Sequence, residues 1–340
     1  MKKKILYTSL IIIALIIIWN YELISYGLMQ ANGQLRIMFN TRPISEVLAD
    51  KGFPDSLKTK LLLIQEIKKF AIDSLGLNPS ESYEELYDQE GKPILWTLTV
   101  CEPYRLEAKE WSFPFIGTFS YKGFFDFEKL KAEEKVWQVQ GMDTDIDEVS
   151  AWSTLGYLDD PVLSSFLRRQ AGSLANLIIH ELTHGTLFID DDLAYNENLA
   201  NFVGNEGAIR FLRYKFGENS KELNEYLGTR KDREILNHFL LQSTQSLDSL
   251  YKSFDEKTDI KTKSDLKAKI IEKIVNQVNL LPLQSDIYKN YFEDYQPNNA
   301  FFIGFLTYNE KQNEFEQEFQ NQFKGDFKKY MNYLKKKYER

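Results

Sequence analysis

The stretch His180-Glu181-Leu182-Thr183-His184 is where this chain most plainly carries chemistry. Two imidazoles four residues apart stand one above the other on one face of a helix, roughly 6 Å apart along its axis. At that spacing two ring nitrogens can hold one tetrahedral zinc ion. Glu181 lies between them, where a carboxylate can take the proton of a metal-bound water. The chain has only three histidines, and two of them are here. From composition, an accidental HExxH is expected on the order of once in a thousand such chains. The bland alternative is a buried helix whose histidines hydrogen-bond inside the core. Two histidines and a glutamate would be costly to bury that way without a partner.

A catalytic zinc usually has three protein ligands and one open position, so a third ligand is required. The metzincin pattern needs glycine three residues after His184 and histidine six after it. Leu187 and Asp190 stand there instead, which excludes that class. His238 falls in the charged helical stretch Asp232–His238 and reads as an exposed residue. Glu197, within Asn196–Gly204, is the better third ligand. An aspartate-rich loop (Asp190, Asp191, Asp192) turns the chain back, and Glu197 then opens the next helix. Asn201, one turn later on the same face, is placed to accept the second N–H of a ligating histidine. Glu206 is the fallback ligand.

These residues need a rigid frame. Leu174, Leu177, Ile178, Ile179 and Leu182 make the motif segment mostly apolar, as a helix crossing a core should be. Ser173 or Asn176 is expected to start that helix and Gly185 to end it. The rest reads as α+β. Asp55 is expected to cap a helix over 56–75 that stops at Gly76. Strands are expected over 94–100, 116–120 and 151–155, and a charged helix over 128–140. From Ala208 onward the chain reads as helical, with breaks near Gly217, Gly228, Pro282 and Pro297.

Several motifs taken together carry a resemblance. Arg42-Pro43-Ile44 is followed by Trp111-Ser112-Phe113-Pro114-Phe115-Ile116-Gly117 and Tyr121-Lys122-Gly123-Phe124-Phe125. Then come Ser153-Thr154-Leu155-Gly156-Tyr157 with Asp160-Pro161, the HELTH motif, and Asn196-Glu197 with Ala200 and Phe202. Asn298-Asn299-Ala300 and Leu306-Thr307-Tyr308 complete the set. Over about residues 30–335 the chain resembles the bacterial predicted aminopeptidases, membrane-associated HExxH zinc enzymes of gluzincin type. The resemblance implies a small mixed sheet packed on the zinc-binding helices, with a largely helical C-terminal half. It also implies a peptide substrate that pairs with an edge strand ahead of the zinc helix, the place residues 151–155 occupy. Many members carry a lipoprotein cysteine near the N-terminus, and none stands there in this chain.

The N-terminus bears on compartment. Lys2, Lys3 and Lys4 precede an apolar run from Ile5 to Trp19, extending to Tyr21 before Glu22. With no convincing cleavage site after it, the run reads as an uncleaved signal anchor over residues 1–29. The basic cluster predicts a cytoplasmic N-terminus and an exported, extracytoplasmic metallopeptidase domain over 30–340. Within that domain, 30–207 forms the α+β part with the zinc site and 208–340 the helical part. A net charge of -8 argues against nucleic-acid binding. Cys101 is the only cysteine, so no intrachain disulfide is possible, and a buried thiol is expected.

In the mechanism these residues suggest, Glu181 acts as general base on water activated by zinc at His180, His184 and Glu197. Tyr308 or Tyr121 would donate to the oxyanion. For the α-ammonium group an aminopeptidase must bind, Glu107, Asp143, Glu206 and Asn298 are candidates that sequence does not separate. A zinc endopeptidase or another amide hydrolase is the alternative, and a non-catalytic membrane-anchored metal-binding protein a further one. Intact Glu181 argues against the last.

Overall fold

The structure is a computed structural model that describes residues 18–113, 117–149, 159–190, 192–285, 291–309 and 312–338, with Tyr7, Leu15 and Tyr288. Most of the apolar run at the N-terminus and all of 151–155 lie outside the described residues. Among the described residues no helix is long and apolar enough to cross a membrane. The first described helix, α1 (Tyr21–Phe39), runs unbroken through the expected boundary at 29/30. Met29, Gly33 and Ile37 recur every four residues, so they share the face it buries.

Strand β1 (Thr41–Pro43) leads into the short helix α2 (Ile44–Ala49) and then α3 (Asp55–Phe70). Pro54 precedes α3, so Asp55 is its first residue rather than its cap, still well placed against the helix dipole. Leu61, Ile64 and Ile67 give α3 its buried face. The helix continues through a π turn, Ala71–Leu75, and stops at Gly76, whose φ of 82° suits glycine.

Strands β2 (Glu85–Tyr87), β3 (Trp96–Cys101), β4 (Trp111–Phe113), β5 (Gly117–Phe119) and β6 (Tyr121–Phe124) follow. Helix α4 (Phe127–Val139) is capped by Asp126, and beyond it lie β7 (Asp143–Glu148) and β8 (Val162–Leu163). One small mixed sheet was the expectation, whereas the described residues hold three. Only the sheet β1-β2-β8 is mixed, with β2 antiparallel to β1 and parallel to β8. The order β6-β3-β7 is fully antiparallel, and β4 with β5 forms a hairpin. Pairing of Thr99 with both Tyr121 and Asp145 puts these three on one face of the antiparallel sheet. Leu98, Val100 and Phe124 lie on the other and pack with Met29 and Leu130.

The remaining helices are α5 (Ala171–His184), α6 (Leu193–Phe216), α7 (Lys221–Lys252), α8 (Ile260–Val278), α9 (Asn299–Asn309), α10 (Gln312–Phe323) and α11 (Phe327–Tyr338). The fold is thus mixed α+β with a helical C-terminal half. The expected break at Gly228 is absent, because that glycine sits inside the unbroken 32-residue α7. Gly217 does end α6, and both prolines fall between α8 and α9. Helix α6 runs through the expected 207/208 division. Phe319, Tyr330 and Leu334 of the last helices join one core with Leu61, Ile178 and Phe211. Leu236, Leu240, Ile274 and Phe302 build a second core among α7, α8 and α9.

Candidate metal centre

Helix α5 begins at Ala171 behind Gln170, so neither Ser173 nor Asn176 starts it, and Gly185 closes it as expected. Most of it is buried, and its last turns present His180 and His184 to α6. Asp192 and Asn196 help hold the return loop. Asp192 caps α6 by accepting from the Tyr195 N–H at 2.9 Å. Asn196, itself buried, accepts from the Ile189 N–H (2.8 Å) and donates to the Ile189 carbonyl (2.7 Å). That clamp fixes the residue that follows, Glu197.

Three donors converge as a result. The two Nε2 atoms of His180 and His184 lie 3.1 Å apart. One Glu197 oxygen is 3.4 Å from His180 Nε2, and the other is 3.6 Å from His184 Nε2. Bonds of about 2.0–2.1 Å to a tetrahedral zinc set its donors roughly 3.3 Å apart, so the three fit such an ion. Burial alone would raise the Glu197 carboxyl, but the hydrogen bonds from both histidines hold it down at about 2. Burial disfavours a charged His180, and Glu197, Glu181 and Asn201 outweigh it, so its pKa is raised overall.

Asn201, one turn beyond Glu197, hydrogen-bonds His180. The buried His184 Nδ1 has no hydrogen-bond partner among the described residues. Tyr121 lies within electrostatic reach of the site. Burial first, then the Glu197 and Glu181 carboxylates, push its pKa up and keep the phenol protonated. Glu181 is half-buried beside His180. Tyr308 falls on α9, and its side chain lies outside the described residues.

Other candidates are committed elsewhere. Glu206 pairs with Arg230 at 2.7 Å and is no ligand. His238 is exposed on α7 and contacts Gln242 at 3.0 Å, as the sequence suggested. Among the groups considered for an α-ammonium, Glu107 pairs with Arg105 at 2.8 Å and Asp143 with Lys267. Asn298 donates to the Thr144 carbonyl and accepts from the Ala300 N–H. Cys101 is free and buried, and burial pushes its thiol up to about 12, so it is inert.

Sequence reasoning missed two contributors. Tyr83, fully buried with φ of 69°, feels the Glu181 and Asp160 charges and so lies near the proposed base. Gly204 is the other. A Cβ there would come within 2.9 Å of the Asn176 carbonyl and 3.2 Å of His180 Cβ. Its missing side chain is what lets α5 and α6 approach closely enough for the donors to meet. No local pattern signals either residue.

Two packed antiparallel helices, with His-x-x-x-His on one and a glutamate in the first turns of the other, bring together a group that could hold a metal ion. The chain belongs to the putative aminopeptidase family, whose profile covers residues 25–339, in line with the extent of the resemblance. No curated protein and no solved structure significantly matches it.

Proposed function

We propose that this protein is a zinc-dependent aminopeptidase acting outside the cytoplasm. The observation that carries the reading is the convergence of His180, His184 and Glu197 at tetrahedral spacing, with Glu181 next to His180 on the same helix. Family membership supports the peptide substrate. The basic cluster and apolar run at the N-terminus support an anchored, exported domain.

A zinc ion held by the three donors would act as a Lewis acid and acidify a coordinated water. The chain's own residues supply the rest. Asn201 holds the His180 ring in its binding orientation. Glu181 takes the proton of the attacking water and passes it to the leaving amine. Tyr121, kept neutral by burial and its two carboxylate neighbours, offers its hydroxyl to the developing oxyanion.

The test uses the full-length protein in detergent. About one zinc per chain is expected, with cleavage of peptides bearing a free N-terminus and none of their acetylated forms. Glu181→Gln should retain zinc and lose activity by roughly 100- to 10,000-fold, and Glu197→Ala should lose the metal. Equal cleavage of acetylated peptides would make the protein an endopeptidase. A chain that takes up no zinc would end the reading.

A further inference from the structure

Helix α1 meets the rest of the protein through one side. Met29, Gly33 and Ile37 are buried, and Tyr26 and Gln30 hydrogen-bond the Gly123 carbonyl. On a regular helix these residues fall within an arc of about 100°. The opposite side carries Tyr21, Ile24, Leu28, Ala31, Leu35 and Met38, apolar residues at alternating spacings of three and four. That alternation is the a/d pattern of a coiled-coil seam, and it runs from one end of α1 to the other. The seam faces outward, with Tyr21 67 %, Leu28 66 %, Leu35 47 % and Met38 45 % exposed. A contiguous apolar stripe left in water marks a contact surface.

We propose that this seam pairs with the same seam of a second copy, making the protein a parallel homodimer joined along α1. The positions flanking the seam are Ser25, Gly27, Asn32 and Gln34, so two copies in register bring no like charges together there. Such self-matching is what a two-fold contact requires. The seam lies about 170° round the helix from the packed side, which leaves the two bodies on the outside of the pair. A lipid surface fits this face less well. Helices that lie in the headgroup layer are rich in lysine and arginine, whereas Arg36 is the one basic residue of α1. A strict a/d stripe is also narrower than the apolar face of such a helix. The parallel sense rests on the anchored reading. Two chains leaving one membrane side by side share a direction, and the common bilayer raises their effective concentration.

The experiment uses the full-length protein in detergent and in phosphatidylcholine vesicles. Leu28→Cys and Ala31→Cys are compared with Val139→Cys, whose site on α4 is 76 % exposed and off the seam. The native thiol, Cys101, is buried and stays silent. Under copper-phenanthroline oxidation the two seam variants should give disulfide-linked dimers at least about tenfold faster than Val139→Cys. Light scattering corrected for detergent should give twice the chain mass for wild type. The double variant Leu28→Glu, Leu35→Glu should give one chain mass and keep the wild-type circular dichroism, because both leucines are exposed. A wild type of one chain mass, with seam cysteines no faster than Val139→Cys, overturns the proposal. So does cross-linking seen only when Tyr21→Cys and Met38→Cys chains are mixed, which means antiparallel pairing. Quenching of a fluorophore at Leu35→Cys by brominated lipid overturns it too, and assigns the seam to the membrane. A parallel dimer that stays in water without detergent keeps the seam and removes the anchor. A parallel dimer without peptide turnover keeps the seam and removes the peptidase.

Discussion

Asn196, Glu197 and Asn201 divide the construction of one ligand position among three neighbouring side chains, and each should fail differently. Among the described residues the Asn196 side chain hydrogen-bonds the backbone of Ile189, so it shapes the loop. Its replacement by alanine leaves a part-buried N–H and C=O to find water instead and should cost about 1–2 kcal/mol of folding stability. Asn201 orients His180 from a half-buried position. Asn201→Ala should therefore leave the denaturant midpoint nearly unchanged while weakening zinc affinity by roughly 10- to 100-fold. Chelator competition beside urea unfolding separates the two. A large midpoint shift in Asn201→Ala would show that it serves the fold instead.

At the scale of elements, the metal centre is a property of the α5–α6 contact. Gly204→Ala would drive a methyl group against the Asn176 carbonyl and His180 Cβ. The helices must then separate, at about 1–3 kcal/mol, and the donors spread with them. Gly185→Ala is the control, since its added Cβ meets nothing closer than 3.8 Å. Zinc dissociation constants should rise clearly for the first and hold for the second. If both behave alike, the close approach does not set the donor spacing. The same contact explains what sequence could reveal. His180 and His184 are related by helix geometry alone, and Glu197 by one short loop, so those three were legible. Gly204 and Tyr83 come to the site through segments far apart in the chain, and no local pattern marks them. Gly228 misled for the opposite reason. A glycine costs a helix only about 1 kcal/mol, and burial of Leu223, Tyr226, Leu236 and Leu240 along α7 outweighs it. Three small sheets appear where one was expected because strands of two to six residues leave little periodicity to read.

Across the whole molecule, the N-terminal helix is part of the folded body and not a detachable stalk. Tyr26 stacks on Phe113 with ring centroids 5.3 Å apart, and its hydroxyl donates to the Gly123 carbonyl at 3.0 Å. Gln30 donates to the same carbonyl at 2.6 Å, and Ile37 enters the main core. At Gly33 an added Cβ would run into the Phe125 ring, so α1 lies directly on that strand end. Strand β6, which these contacts grip, also carries Tyr121 toward the metal centre. A chain begun at residue 30 loses Tyr26 and the buried Met29, worth roughly 3–5 kcal/mol together. A chain begun at residue 20 keeps every one of these contacts. The shorter chain should therefore unfold at clearly lower urea concentration, and its Tyr121 should be displaced, lowering kcat more than zinc affinity. The longer chain should match the full-length protein in both. Equal stability of the two truncations would mean that α1 serves only to join the body to its N-terminal segment. A stability loss without a change in kcat would detach Tyr121 from the reaction and leave the helix a purely structural part.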